Sequence, residues 1–137
     1  MNHVSYTDLL MLLVRVGEAS VFACAGIVKL SDPTGGTRAI AAVGVPAPAA
    51  TVMAPALCAS ELSVALLLTV GPVRWGALSA VLMLGVFQVA LATRAWRGDF
   101  GKCNCFGRWS GRVSWASAAR NAALSAGAIS LWWWAAR

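Results

Sequence analysis

Charge is scarce in this chain. Only 12% of its 137 residues are charged, against 59% hydrophobic, whereas soluble domains carry about 25% charged residues. The shortage excludes an ordinary soluble domain, because the few charges lie between long apolar stretches, as membrane-spanning helices require. Histidine is nearly missing: His3 is the single one, so four-ligand zinc sites built from cysteine and histidine have little to draw on. The first eight residues, Met1 to Asp8, lack a basic run, and Arg15 and Glu18 interrupt the apolar stretch that follows. A cleaved signal peptide needs a basic start and an unbroken apolar core, so the first helix is expected to be retained. There is no internal repeat, and no low-complexity tract beyond the alanine richness that suits helix packing in lipid. The net charge of +6 is no nucleic-acid footprint, since most of it falls in loops between apolar segments, where basic residues set membrane orientation.

What is present reads as an all-α, integral membrane four-helix bundle in a single domain spanning residues 1–137. The first helix is expected over 7–30, stopped by Ser31-Asp32-Pro33 because proline cannot continue the hydrogen-bond ladder. A glycine- and proline-rich loop follows, in which residues 38–43 suit a short interfacial helix. The second helix is expected over 49–70 and holds Pro55, Cys58 and Glu61. The short Gly71-Pro72 turn makes the third helix, 75–93, its antiparallel neighbour. A basic loop, 94–112, leads to the fourth helix, 113–136, which holds Arg120 and Asn121 and ends in the aromatic belt Trp132-Trp133-Trp134.

The polar, basic loop carries Cys103-Asn104-Cys105-Phe106-Gly107, flanked by Lys102 and Arg108. Two thiols one residue apart are poor core material. As a redox pair they would form a strained, easily reduced disulfide, and the neighbouring cations favour the attacking thiolate. As a metal site, two thiolates favour a soft ion such as Cu(I), Zn or Hg(II). The remaining reading, less favoured, is two idle loop thiols. Cys24 and Cys58 complete the set of four cysteines. At a rise of about 1.5 Å per residue, Cys24 lies about 9 Å below the end of the first helix and Cys58 about 14 Å below the start of the second. Both then lie in the half of the bilayer facing the loop pair, and they are expected to approach one another; taken alone, each is ordinary packing material. Glu18, Glu61, Arg15 and Arg120 are ionisable groups at membrane depth, which usually turn inward and pair. Glu61 is expected to pair with Arg120 or Arg15, either as a structural ion pair or with one glutamate carrying protons beside a thiol.

Cys103 to Asn121, with Val113-Ser114-Trp115 and Arg120-Asn121, resembles the MauE (methylamine utilisation) family of small membrane proteins, within the broader DoxX-like group. Ala25-Gly26-Ile27-Val28-Lys29-Leu30-Ser31-Asp32-Pro33 resembles the ending of the first helix in those proteins, and Glu61 also fits. The resemblance implies a four-helix membrane bundle with a role in disulfide formation or thiol transfer and a thioredoxin-like partner.

Three functions compete. The leading one is a membrane thiol–disulfide oxidoreductase in which Cys103 and Cys105 exchange with a partner, Cys24 and Cys58 relay to a quinone or second partner, and Glu61, Glu18 and Arg120 serve proton transfer or pairing. The alternatives are a soft-metal transporter using the same cysteines and a scaffold without chemistry of its own. The expected location is a bacterial-type cytoplasmic (inner) membrane, crossed several times. The face with the cysteine loop holds Lys29, Arg38, Arg94, Arg97, Lys102, Arg108 and Arg112, and the other holds Arg74 and Arg137. That bias points the loop to the cytoplasm, whereas disulfide formation belongs outside it.

Overall fold

The structure, a computed structural model, describes residues 5–101 and 112–137. Among these residues it forms five α-helices and no strand: α1 (Tyr6–Ser31), α2 (Pro33–Ala42), α3 (Ala47–Thr69), α4 (Val73–Trp96) and α5 (Trp115–Ala135). Three of them, α1, α3 and α4, are long and apolar enough to cross a membrane. The fifth has 21 residues, enough to span about 31 Å at the α-helical rise. Arg120, Asn121, Ser117, Ser125 and Ser130 make it more polar than the other three.

Local chemistry explains the helix ends. At the start of α1, Ser5 and Asp8 form a reciprocal cap, with the Thr7 N–H donating to Ser5 Oγ and the Ser5 N–H to Asp8 Oδ2. Asp32 ends α1 and begins α2. Its N–H donates to the Val28 carbonyl, while its carboxylate accepts from the Gly35 N–H at 3.0 Å and the Thr34 hydroxyl at 2.9 Å. Pro33 then takes the first position of α2, where a missing N–H costs nothing. The short helix expected over 38–43 is thus longer and starts earlier. Thr34, Gly35 and Gly36 read as loop by propensity, but the Asp32 cap starts a helix that buries Ile40 against Ala50 and Ala54 of α3. Likewise α4 continues through Arg94, Ala95 and Trp96, past the end expected at residue 93.

The core joins α1, α3, α4 and α5 through Phe22, Leu68, Leu84, Phe87 and Leu131, with Ala77, Ala80 and Ala128 allowing close approach. The helix that follows Gly71-Pro72 returns beside α3. At the end with both described termini, Arg74 lies 5.7 Å from the centre of the Trp132 ring.

Gly26 lets α1 pack closely on α3. A Cβ there would stand 2.7 Å from both Cγ and Cδ2 of the Leu62 side chain, so the space a larger residue needs is already filled. Replacing Gly26 forces Leu62 or the whole helix to move. Gly26→Val should cost about 1–3 kcal/mol, the usual penalty of overpacking a filled interface. Thermal unfolding in detergent, compared with the unchanged protein, measures it.

Candidate functional site

One stripe of α1 faces the bundle: Glu18, Ala19, Phe22, Ala25, Gly26 and Lys29 are all buried. Spacings of three and four residues hold them on one face. At its upper end the Lys29 Nζ donates to Glu61 Oε1 of α3 at 2.6 Å, and the two side chains are 2% and 0% exposed. The same ammonium lies 5.5 Å from the centre of the Phe87 ring of α4. Three helices therefore meet on one ion pair. Glu61 Oε2 has no hydrogen-bond partner among the described residues.

Lys29 is thus the partner of Glu61, and the expected pairing with Arg120 or Arg15 is not formed. Arg15 is engaged elsewhere, donating from Nε to the Leu68 carbonyl and from Nη2 to the Thr69 and Gly71 carbonyls at 3.0 and 3.4 Å. It neutralises the C-terminal carbonyls of α3, which no helical N–H satisfies. By its place near the end of the first helix, Lys29 reads as a boundary charge. The signal that places it inside was present: Glu18, Phe22, Ala25 and Lys29 follow the spacing of one helix face.

Cys58 lies one turn before Glu61 on α3 and is buried. Its Sγ donates to the Gly26 carbonyl at 3.2 Å, a contact that the missing side chain of Gly26 permits. Cys58 and Lys29 both line a groove of about 830 Å³ between the end of α1, α2 and the first half of α3, together with Thr34, Thr37, Arg38 and Thr51. Pro55, also on its wall, has no N–H to offer the Thr51 carbonyl, so α3 carries an interrupted ladder there.

Cys24 is not part of this arrangement. It is exposed and lines a separate groove of about 620 Å³ with Ser20, Val28, Arg120 and Leu124, between α1 and α5. The expected approach of Cys24 to Cys58 is absent for a rotational reason. Gly26 faces Cys58, and Cys24 precedes it by two residues, about 200° around the helix at roughly 100° per residue. The two cysteines lie at similar levels along the bundle, since Cys58 contacts Gly26 two residues beyond Cys24, but they point in different directions.

Glu18 is buried further down the stripe, with Oε2 unpartnered among the described residues. In α5, Arg120 is exposed, while the adjoining Asn121 is fully buried and neither its Oδ1 nor its Nδ2 has a hydrogen-bond partner among the described residues.

Cys103 and Cys105 lie outside the described residues. The chain on either side of them is well tied. Arg94 and Asp99 form an ion pair at 3.0 Å, and Asp99 also accepts from the Gly101 N–H. The bond from Arg94, then that from Gly101, holds the Asp99 carboxyl below the usual carboxylate range. The Val113 N–H donates to the Gly101 carbonyl at 3.0 Å, and Arg112 Nε to the Phe100 carbonyl at 3.2 Å. The two ends of the cysteine-bearing segment are therefore held together. The Arg97 guanidinium reaches the α2–α3 connection, 2.9 Å from where a Cβ of Gly44 would stand, so this junction sits at the same end of the bundle as the groove.

Long apolar helices around buried ionisable groups define a multi-pass membrane protein. The family described as Methylamine utilisation protein MauE matches residues 7–134, and the chain belongs to that family. Neither the comparison with curated proteins nor that with solved structures finds a match.

Breaking one side of the buried pair strands the other charge, at a typical cost of about 3–5 kcal/mol. Glu61→Gln and Lys29→Met should each lose stability on that scale. The double variant should recover much of it, since two apolar or neutral groups leave no charge unpaired. Thermal unfolding of the three variants checks this.

Proposed function

We propose that the chain is a membrane thiol–disulfide oxidoreductase associated with methylamine utilisation, built as a four-helix membrane bundle with α5 as its fourth crossing. Cys103 and Cys105 exchange with the dithiol of a thioredoxin-like partner, and Cys58 is the inner thiol. The observation that carries this reading is Cys58 beside the buried Lys29–Glu61 pair, at the bundle end where the cysteine segment leaves and returns.

The chemistry follows from the residue types. A thiolate of the loop pair attacks one sulfur of the partner's disulfide, forming a mixed disulfide and releasing the other partner sulfur as a thiolate. The second loop thiolate attacks the mixed disulfide, leaving Cys103–Cys105 oxidised and the partner reduced. Run backwards, the same steps oxidise the partner. Each direction needs thiols to lose or gain protons, and Lys29 and Glu61 are groups beside Cys58 that can hold or give one.

The groove bearing Lys29, Thr34, Thr51 and Cys58 has the size and the mixed apolar and polar lining of small-molecule sites, which span about 300–1,000 Å³. The apolar part of that lining, from Leu30, Pro33, Ala54 and Pro55, suits a quinone ring; when bound, a quinone would supply an acceptor for two electrons and two protons. Cys24 and Cys58 face different grooves, so neither a direct relay nor a direct handover of a soft metal ion between them is part of this reading. Arg120 stands beside Cys24 in the α1–α5 groove, away from the ion pair.

The basic residues at the loop end bear on orientation. Lys29 and Arg94 are buried in ion pairs, so they hold the fold rather than report topology. Of the seven basic residues on that face, five then remain as orientation signals, against two on the other. The bias toward a cytoplasmic loop is weaker than the sequence alone implied, and a loop facing an oxidising compartment fits thiol oxidation better.

The test is exchange with a purified thioredoxin-like protein, followed by the redox state of that protein. Cys103→Ser and Cys105→Ser should each abolish turnover, while Cys24→Ser should leave it unchanged. Full exchange by a chain lacking both loop cysteines would refute the assignment and leave the scaffold reading. Loss of exchange accompanied by stoichiometric soft metal on the loop thiols would favour transport.

A further inference from the structure

Glu18 is a buried acid that thiol exchange does not use. Its side chain lies between α1 and α5, and it is 3% exposed. Its Oε1 stands 2.8 Å from where a Cβ of Gly127 would be, with Val14 Cγ1 at 3.2 Å from the same point. Gly127 therefore leaves a slot in α5 that the carboxyl group fills. Among the described residues, its Oε2 has no hydrogen-bond partner and no salt bridge includes it.

The charged groups on the surrounding helices are engaged or distant. Arg15, one turn away, donates to the end of α3. Glu61 of α3 is paired with Lys29, and Lys29 lies eleven residues along α1 from Glu18, about 16 Å of rise. In α4, Arg74 sits on the Trp132 ring and Arg94 pairs with Asp99. Arg120 lines the Cys24 groove, seven residues from Gly127, about 10 Å along α5.

An isolated carboxylate in hydrocarbon is costly enough that such a group takes up a proton instead. Ionisable residues within membrane segments are rare, and they mark proton or ion pathways. Phe22 is fully buried one turn along the same stripe toward Lys29, so apolar core lies between the two acids Glu18 and Glu61, which do not form one cluster.

We propose that Glu18, seated against Gly127, is a proton-binding site inside the membrane, distinct from the Lys29–Glu61 site. It holds a proton as a neutral carboxylic acid at neutral pH and releases it as the pH rises. The ligand is the proton alone, so no oxidant or reductant is involved. The site is a proton reservoir about three helical turns from Lys29, on the side of Phe22 away from the groove.

The test is infrared spectroscopy of the full chain in lipid nanodiscs, titrated from mildly acidic to alkaline pH. A protonated-carboxyl stretch should be present at neutral pH, shift in heavy water, fall as the pH rises, and vanish in Glu18→Gln. A band unchanged in Glu18→Gln, a band that persists at alkaline pH, or no such band at neutral pH would overturn the proposal. Should Glu18→Gln fail to fold, the unchanged protein still decides. Dicyclohexylcarbodiimide, which adds to protonated carboxyls in apolar surroundings, should modify the peptide bearing Glu18, and modification of Glu61 in its place would count against it. Neither readout involves a thiol, so this proposal and thiol exchange stand or fall separately.

Discussion

The buried ion pair between Lys29 and Glu61 is the constraint on which the upper half of the molecule depends. Removing two charges from water costs several kcal/mol for each ion, and only close geometry offsets that cost. The 2.6 Å contact, with the ammonium also near the face of Phe87, supplies such geometry. The pair has one register in which it forms, so it sets how far α1 slides along α3. That register brings the Cys58 thiol to the Gly26 carbonyl. It also puts the first half of α3 beyond the end of α1, where α2 covers it. The groove is the space left where α1 ends, α2 turns away and α3 continues.

This arrangement separates two kinds of thiol. Cys58 is held inside the protein by a hydrogen bond and a glycine contact, next to groups that can exchange protons. Cys24, on the other side of α1, faces a groove with Arg120. The loop pair belongs to a segment whose ends are tied by the Gly101–Val113 hydrogen bond and by the Arg94–Asp99 ion pair. Those tied ends lie at the bundle end that also holds the groove and Cys58.

Much of the fold was legible in the sequence because apolar runs, prolines and the Gly71-Pro72 turn are local signals. Ser31-Asp32-Pro33 marked the end of α1 because proline cannot continue a helix; the Asp32 cap that starts α2 is added by the structure. The extent of α2 was not legible, since Thr34, Gly35 and Gly36 favour a loop until α3 supplies a surface for Ile40. Residue depth was readable from helical rise, and Cys24 and Cys58 do lie at similar levels. Direction around the helix was the missing coordinate: two residues separate Cys24 from Gly26, and that places it on the opposite side. Lys29 escaped for a related reason, because a charge near a helix end reads as a boundary marker unless its spacing from Glu18 and Phe22 is followed. The role proposed for the loop pair rests on its residue chemistry, since Cys103 and Cys105 lie outside the described residues.

The most direct measurement is the redox state and pairing of all four cysteines, by mass spectrometry after differential alkylation in native membranes that are first mildly reduced and freed of reductant, before and after incubation with an oxidised thioredoxin-like protein. Cys103 and Cys105 should pass from thiols to a disulfide shared between them or with the partner, while Cys24 and Cys58 are never found joined to each other. Loop cysteines that stay reduced throughout, or a Cys24–Cys58 disulfide, would contradict the account.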